Sequence, residues 1–175
     1  PGSGKTSLAL MLKKHAELSF AYISSTKDGV KEIREAIKKN AGGILFIDEI
    51  HRLNSSAQDS LLQSVEQNEI WLIAATTESP QTALNRALLS RVRTLYVAPL
   101  TKDQIEIALT HALNVLEQGQ QNHSLNSPET NDKQNFNSFY SREKFITDYF
   151  PKIIAKSFGD LRFAYNLMEL LFYCE

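Results

Sequence analysis

The sequence predicts an α/β fold, a parallel sheet flanked by helices and followed by a segment that is helical throughout. Three observations predict it. Apolar runs of strand length alternate with stretches of helical periodicity as far as Ala98, and only helical patterns follow Leu100. The chain opens on Pro1-Gly2-Ser3-Gly4-Lys5-Thr6-Ser7, the closing half of the pattern G-x-x-x-x-G-K-[ST]. In that pattern glycines turn backbone N–H groups around phosphate oxygens, Lys reaches the outer phosphates and the Thr hydroxyl ligates Mg²⁺. Finally, Gly43-Ile44-Leu45-Phe46-Ile47-Asp48-Glu49 is an apolar run ending in two carboxylates, the form of a buried strand whose C-terminal end opens at a ligand crevice.

Together the loop and the acidic strand describe the sheet of a P-loop nucleotide hydrolase. Asp48 would hold Mg²⁺, directly or through water, and Glu49 would orient or deprotonate an attacking water. The opening glycine of the loop, and the strand that delivers it, would precede Pro1, so the chain reads as a slice of a longer protein whose sheet lacks its first strand. Its 175 residues suffice for one real core, or a medium domain with a small appendage. With a net charge of −1 there is no global basic field, so any DNA contact must be local. Cys174 is the only cysteine, which excludes an internal disulfide framework and suits a reducing compartment. No apolar run approaches the ~20 residues needed to span a bilayer. A soluble, cytoplasmic protein is expected.

In chain order, Thr6 to about Ala16 carries Leu8, Met11 and Leu12 at helical spacing, with its N-terminus available to phosphate. Residues 19–24 read as a short strand. The stretch 30–41 is amphipathic, with Val30, Ile33, Ala36 and Ile37 on one side and Lys27, Lys31, Arg34 and Lys38 on the other. That cationic row suits either solvent or a DNA backbone. After the acidic strand, Ser55 or Ser56 caps a helix running to Glu66. Ile70 to Thr76 is a strand apolar enough to be covered on both faces, and its Thr76 hydroxyl suits a phosphate, the attacking water or simply a turn. Residues 85–90 form a short helix and 94–98 a last strand. Thr101 and Gln104 make a capping box for a helix to about Glu117. Residues 119–140, rich in Asn, Gln and Ser, read as a disordered insertion. Ser141 caps a helix interrupted or restarted near Pro151, and Asp160 caps the last one, 161–173. Domain boundaries follow as 1–99 for the sheet and 100–175 for the helical part.

Gly2-Ser3-Gly4-Lys5-Thr6, Ile47-Asp48-Glu49, Ala75-Thr76-Thr77, Leu89-Ser90-Arg91 and Gly159-Asp160-Leu161-Arg162 stand in the order of Walker A, Walker B, sensor 1, arginine finger and sensor 2. That order resembles the AAA+ ATPases of the clamp-loader clade. More narrowly, residues 29–36, Asp48-Glu49-Ile50-His51-Arg52-Leu53-Asn54 and Ala75-Thr76-Thr77-Glu78-Ser79-Pro80 resemble the replication-associated recombination protein A family, kin of the eukaryotic Werner-helicase-interacting protein. The likeness covers about residues 1–117 and 141–175.

The resemblance implies a P-loop sheet followed by a small helical AAA+ lid, with ATP and Mg²⁺ as ligands. Gly2, Ser3, Gly4, Lys5, Thr6 and Ser7 would line the phosphates, Thr6 and Asp48 would hold Mg²⁺, and Glu49 would activate water. Thr76 would be sensor 1 and Arg162 sensor 2. Arg91 would be the finger acting on a neighbour's nucleotide, which demands a homo-oligomer; Arg93 is its nearest competitor, and Arg91 alone follows the Ser-Arg pattern. The implied activity is DNA-dependent ATP hydrolysis at stalled, gapped or forked replication substrates, alongside single-strand-binding protein or replisome components and no membrane, in the cytoplasm near the nucleoid. The rivals are a Holliday-junction branch-migration motor, which also carries Ala-Thr-Thr, a clamp-loader subunit using ATP as a switch, and a scaffold without hydrolysis. Clamp-loader subunits commonly have Cys after the finger, where this chain has Val92.

Overall fold

A computed structural model describes residues 2–26, 29–124 and 141–174. These form two compact units, one spanning Gly4–Tyr96 and the other the described residues from Val97 onward together with Gly2 and Ser3.

In the first unit three parallel strands, β1 (Phe20–Ser24), β2 (Ile44–Asp48) and β3 (Trp71–Ala74), lie side by side in sequence order. Phe20 faces Ile44, which faces Trp71 in turn, and Ser24 faces Asp48, so the carboxyl ends of the strands meet at one edge of the sheet. Helix α2 (Val30–Lys39) links β1 to β2 and α3 (Ser55–Glu66) links β2 to β3. Side chains alternate across a strand. Leu45 and Ile47 therefore face Ile33, Ile37, Ala57 and Leu61 of α2 and α3, while Phe46 turns to the other face and packs with Ala9 of α1 (Lys5–His15). The apolar run at 44–47 is thus fully buried, as its composition requires.

Several expectations are corrected. Among the described residues β3 is not covered on both faces: Trp71 is 68% exposed, and β3 is an edge strand of the three described. Residues 94–98 are not a strand. A strand exists only as a ladder with a neighbour; no described strand pairs with them, and Leu95 and Tyr96 stand 79% and 81% exposed. Asn54, not Ser55 or Ser56, caps α3, its side chain accepting the Ala57 N–H at 2.9 Å. Two short helices follow β3, α4 (Pro80–Ala83) and α5 (Arg86–Leu89), and sequence reading finds only the second.

The second unit is a three-helix bundle of α6 (Lys102–Ser124), α7 (Arg142–Ser157) and α8 (Leu161–Cys174). Its core is Ile105, Leu109 and Leu113 from α6, Phe145, Phe150 and Ile153 from α7, and Ala164, Met168 and Phe172 from α8. The capping box forms: Thr101 Oγ1 accepts the Gln104 N–H at 3.3 Å, and Gln104 Oε1 accepts the Thr101 N–H at 3.0 Å. Helix α6 runs on to Ser124, past the expected end near Glu117, because adding a residue to a formed helix is far easier than nucleating one. The rest of the expected insertion, 125–140, lies outside the described residues. Nor does α7 break at Pro151. An internal proline costs about 3 kcal/mol or more, and the burial of Phe150 and Ile153 on either side offsets it. No helix of the described residues is long and apolar enough to cross a membrane.

Candidate active site

The site is built where β2 ends. Thr6, one residue into α1, donates its hydroxyl to Asp48 Oδ2 at 3.0 Å across 42 positions of sequence, and Asp48 Oδ1 accepts the Glu49 N–H at 3.1 Å. The hydroxyl of Thr6 and the carboxylate of Asp48 are therefore adjacent oxygen donors of the hard kind that Mg²⁺ takes. No group of three or more His, Cys, Asp or Glu side chains suited to a metal occurs among the described residues. A cation bound here would draw its remaining ligands from phosphate and water, the usual pattern for Mg²⁺.

Two glycines near the start of the chain adopt left-handed backbone conformations. Gly4 has φ 84° and Gly2 φ 65°, left-handed conformations that an L side chain resists. A Cβ at Gly4 would meet nothing within 4 Å, whereas one at Gly2 would lie 1.8 Å from Asp160 Oδ1. Helix α1 starts at Lys5 with no side-chain cap and no acid in its first turn. Such a helix end, with N–H groups pointing outward and positive dipole potential, receives anions. Ser7 lies exposed in that first turn.

Glu49 is held in an unusual backbone state, φ 55° and ψ 47°. For a residue other than glycine this costs roughly 1–3 kcal/mol. Three contacts enforce it: the Asp48 carboxylate on its N–H, the Arg52 N–H on its carbonyl at 2.9 Å, and the Ile50 N–H on the Ala75 carbonyl at 3.0 Å. The last ties the turn after β2 to the end of β3. As a result His51, which sequence reading leaves without a role, enters the site. Its Nδ1 lies 3.1 Å from Thr76 Oγ1 and 3.3 Å from Glu49 Oε2. The signal was its place two residues after Glu49, in a turn that had to face the next strand.

Thr6, Asp48, Glu49 and Thr76 thus converge, the last through His51. Arg91 does not join them. It lies after α5, its NH2 group 2.6 Å from Glu66 Oε1 and its NH1 group donating to the Ala87 carbonyl at 3.0 Å. The buried Gln58 secures the segment leading to α5: its Nε2 donates to the carbonyls of Leu53 at 3.3 Å and Ala83 at 3.1 Å, and its Oε1 accepts the Asn85 N–H at 2.7 Å. Gln58→Ala leaves these groups without their partner, and urea unfolding is expected to show a loss of roughly 1–3 kcal/mol. Unchanged stability would mean that water replaces the side chain fully. Arg162, exposed in the first turn of α8, belongs to the helical unit, as do Gly2 and Ser3. There Asp160 Oδ1 caps α8 by accepting the Phe163 N–H at 3.0 Å, and the Gly2 carbonyl accepts the Leu161 N–H at 3.3 Å.

Comparison with known proteins shows the family and the fold. The model of the AAA family, "ATPase family associated with various cellular activities", matches residues 1–100. Replication-associated recombination protein A of Escherichia coli K12 is 47% identical over 120 residues, covering 65% of this chain and 27% of that protein. The protein of the same name from Haemophilus influenzae is 40% identical over 180 residues, covering 98% of this chain and 36% of that protein. The chain therefore spans between about a quarter and about a third of the length of these relatives. Among solved structures, the RuvB Holliday junction branch migration motor of Thermotoga maritima superposes with a TM-score of 0.70 at 22% identity, over 97% of this chain and 50% of that one, a likeness of fold. The resemblance to the replication-associated recombination protein A family, drawn from the motifs around Asp48 and Thr76, is borne out by these relatives. With a matching family model over more than half its length, the chain belongs to the AAA family of ATPases.

Proposed function

We propose that this chain carries the catalytic core of a DNA-dependent ATPase that acts in replication-associated recombination and fork maintenance. The observation that carries the ATPase reading is the Thr6–Asp48 bond, with Glu49 fixed beside it in a strained turn. In this reading Lys5 and the start of α1, with Gly2, Ser3, Gly4 and Ser7, hold the β- and γ-phosphates. Thr6 and Asp48 hold Mg²⁺, which when bound neutralises charge on the phosphate oxygens. Glu49 takes a proton from the water that attacks the γ-phosphate in line, and Thr76 donates a hydrogen bond to the phosphate or that water. Arg162 touches the γ-phosphate of its own subunit, and Arg91 reaches that of a neighbour in a homo-oligomer. Residues 1–99 form the ATPase part and 100–175 the lid.

The DNA part rests on the relatives, whose name ties them to replication and recombination. Single-stranded, gapped or forked DNA is the expected activator, with single-strand-binding protein or replisome components as partners near the nucleoid. The test is steady-state ATP turnover by the full-length protein with Mg²⁺, alone and with single-stranded, forked and four-way-junction DNA. Turnover raised by single strands or forks supports the proposal. Activation by the four-way junction alone favours the branch-migration reading, to which the RuvB fold likeness points. No response to any DNA overturns the DNA-dependent reading.

A further inference from the structure

We propose that His51 is a positioning residue that couples the water-activating carboxylate to the sensor hydroxyl and fixes which way that hydroxyl donates. The inference deepens the ATPase reading and rests on it.

The His51 side chain is only 12% exposed and faces three partners: Nδ1 lies 3.1 Å from Thr76 Oγ1 and 3.3 Å from Glu49 Oε2, and Nε2 lies 3.8 Å from Glu78 Oε1. An ionised carboxylate only accepts hydrogen bonds. We assign the proton to Nδ1, the tautomer in which the ring donates to Thr76 Oγ1 at 3.1 Å and turns no bare lone pair toward Glu49 Oε2. Thr76 Oγ1 also accepts the Glu78 N–H at 3.0 Å. A hydroxyl oxygen has two acceptor sites and one proton. Both acceptor sites of Thr76 are taken by donors from its own chain, which leaves its proton directed away from them. The hydroxyl is thereby a dedicated donor, as recognition of a phosphate oxygen requires. The same Nδ1 lies 3.3 Å from the Glu49 carboxylate, so one ring nitrogen stands between the two groups assigned to the γ-phosphate and its attacking water.

A positioning role predicts a loss in turnover without a loss in nucleotide binding, and it predicts which side chain can replace the ring. The amide of asparagine places an N–H near the position of Nδ1, whereas that of glutamine places it near Nε2. In the full-length protein, His51→Ala is expected to lower kcat by ~10–100-fold, with the affinity for a fluorescent N-methylanthraniloyl-ATP changed less than about twofold. His51→Asn is expected to restore much of kcat, and His51→Gln to resemble His51→Ala. Unchanged kcat in His51→Ala, a fall in affinity matching the fall in kcat, or equal rescue by Asn and Gln would each overturn the inference. Should His51→Ala fail to fold, the contrast between His51→Asn and His51→Gln decides. A wild type that binds the nucleotide and never hydrolyses it sinks the ATPase reading and this inference with it. A hydrolysing wild type matched by His51→Ala sinks the inference alone.

Discussion

Glu49→Gln is expected to abolish nearly all ATP turnover while leaving ATP bound as tightly as before. Glutamine matches glutamate in size and tolerates the same left-handed turn about as well, so the geometry at φ 55° persists. What is lost is a carboxylate able to take the proton of the attacking water. A positioned general base typically contributes 10²–10⁴-fold, and a loss of about that size is expected in phosphate release. Binding survives because the phosphates are assigned to Lys5, Thr6 and the start of α1, and Mg²⁺ to Thr6 and Asp48, none of which the substitution touches. Turnover within a few-fold of wild type would remove Glu49 from the chemistry.

Arg91→Ala is expected to lower turnover on the order of 10³-fold, the scale on which an arginine finger acts in P-loop enzymes. Within the chain Arg91 is paired with Glu66 at 2.6 Å, but both side chains are more than 40% exposed. An exposed pair of this kind is worth only about 0–1 kcal/mol, so the contact with Glu66 does not lock the guanidinium, as the proposed reach to a neighbour's phosphate requires. A shared site also predicts complementation. Mixed with Glu49→Gln, the Arg91→Ala protein should regain turnover, because some mixed interfaces then contain an intact carboxylate from one subunit and an intact finger from the next. Loss of activity without recovery on mixing would make Arg91 a brace between α5 and α3. Undiminished activity would remove it from the site.

The fold was legible wherever the deciding forces are local or follow from strand period. The run Ile44-Leu45-Phe46-Ile47 can only be a buried strand, and it is one. The pairing of Thr101 with Gln104 declares a helix start, and both hydrogen bonds form. What failed depends on neighbours. Trp71 and Leu72 have the composition of a central strand, yet whether a strand lies at the centre or the edge is set by what pairs beside it. Residues 94–98 carry strand propensity without a partner strand. Leu8, Met11 and Leu12 have helical spacing but are each more than 40% exposed, and only Ala9 of α1 is buried, against Phe46.

At the site, residue types at motif spacing pointed to Thr6, Asp48, Glu49 and Thr76. His51 was visible as a residue and not as a participant. Its contact with Thr76 depends on the left-handed turn at Glu49, which reverses the chain just past β2 and aims the ring at the end of β3. No periodicity in the sequence encodes that reversal. The pairing of Arg91 with Glu66 was hidden for the same reason, since it joins the end of α3 to a loop 25 residues later through tertiary packing alone.

The most direct measurement is a crystal structure of the full-length protein grown with Mn²⁺ in place of Mg²⁺ and a non-hydrolysable ATP analogue, with the metal located by its anomalous scattering. One metal peak is expected between the nucleotide's outer phosphates, Thr6 Oγ1 and the Asp48 carboxylate, at a distance of about 2 Å from the threonine oxygen. A metal and triphosphate bound away from Thr6 and Asp48 would contradict the account.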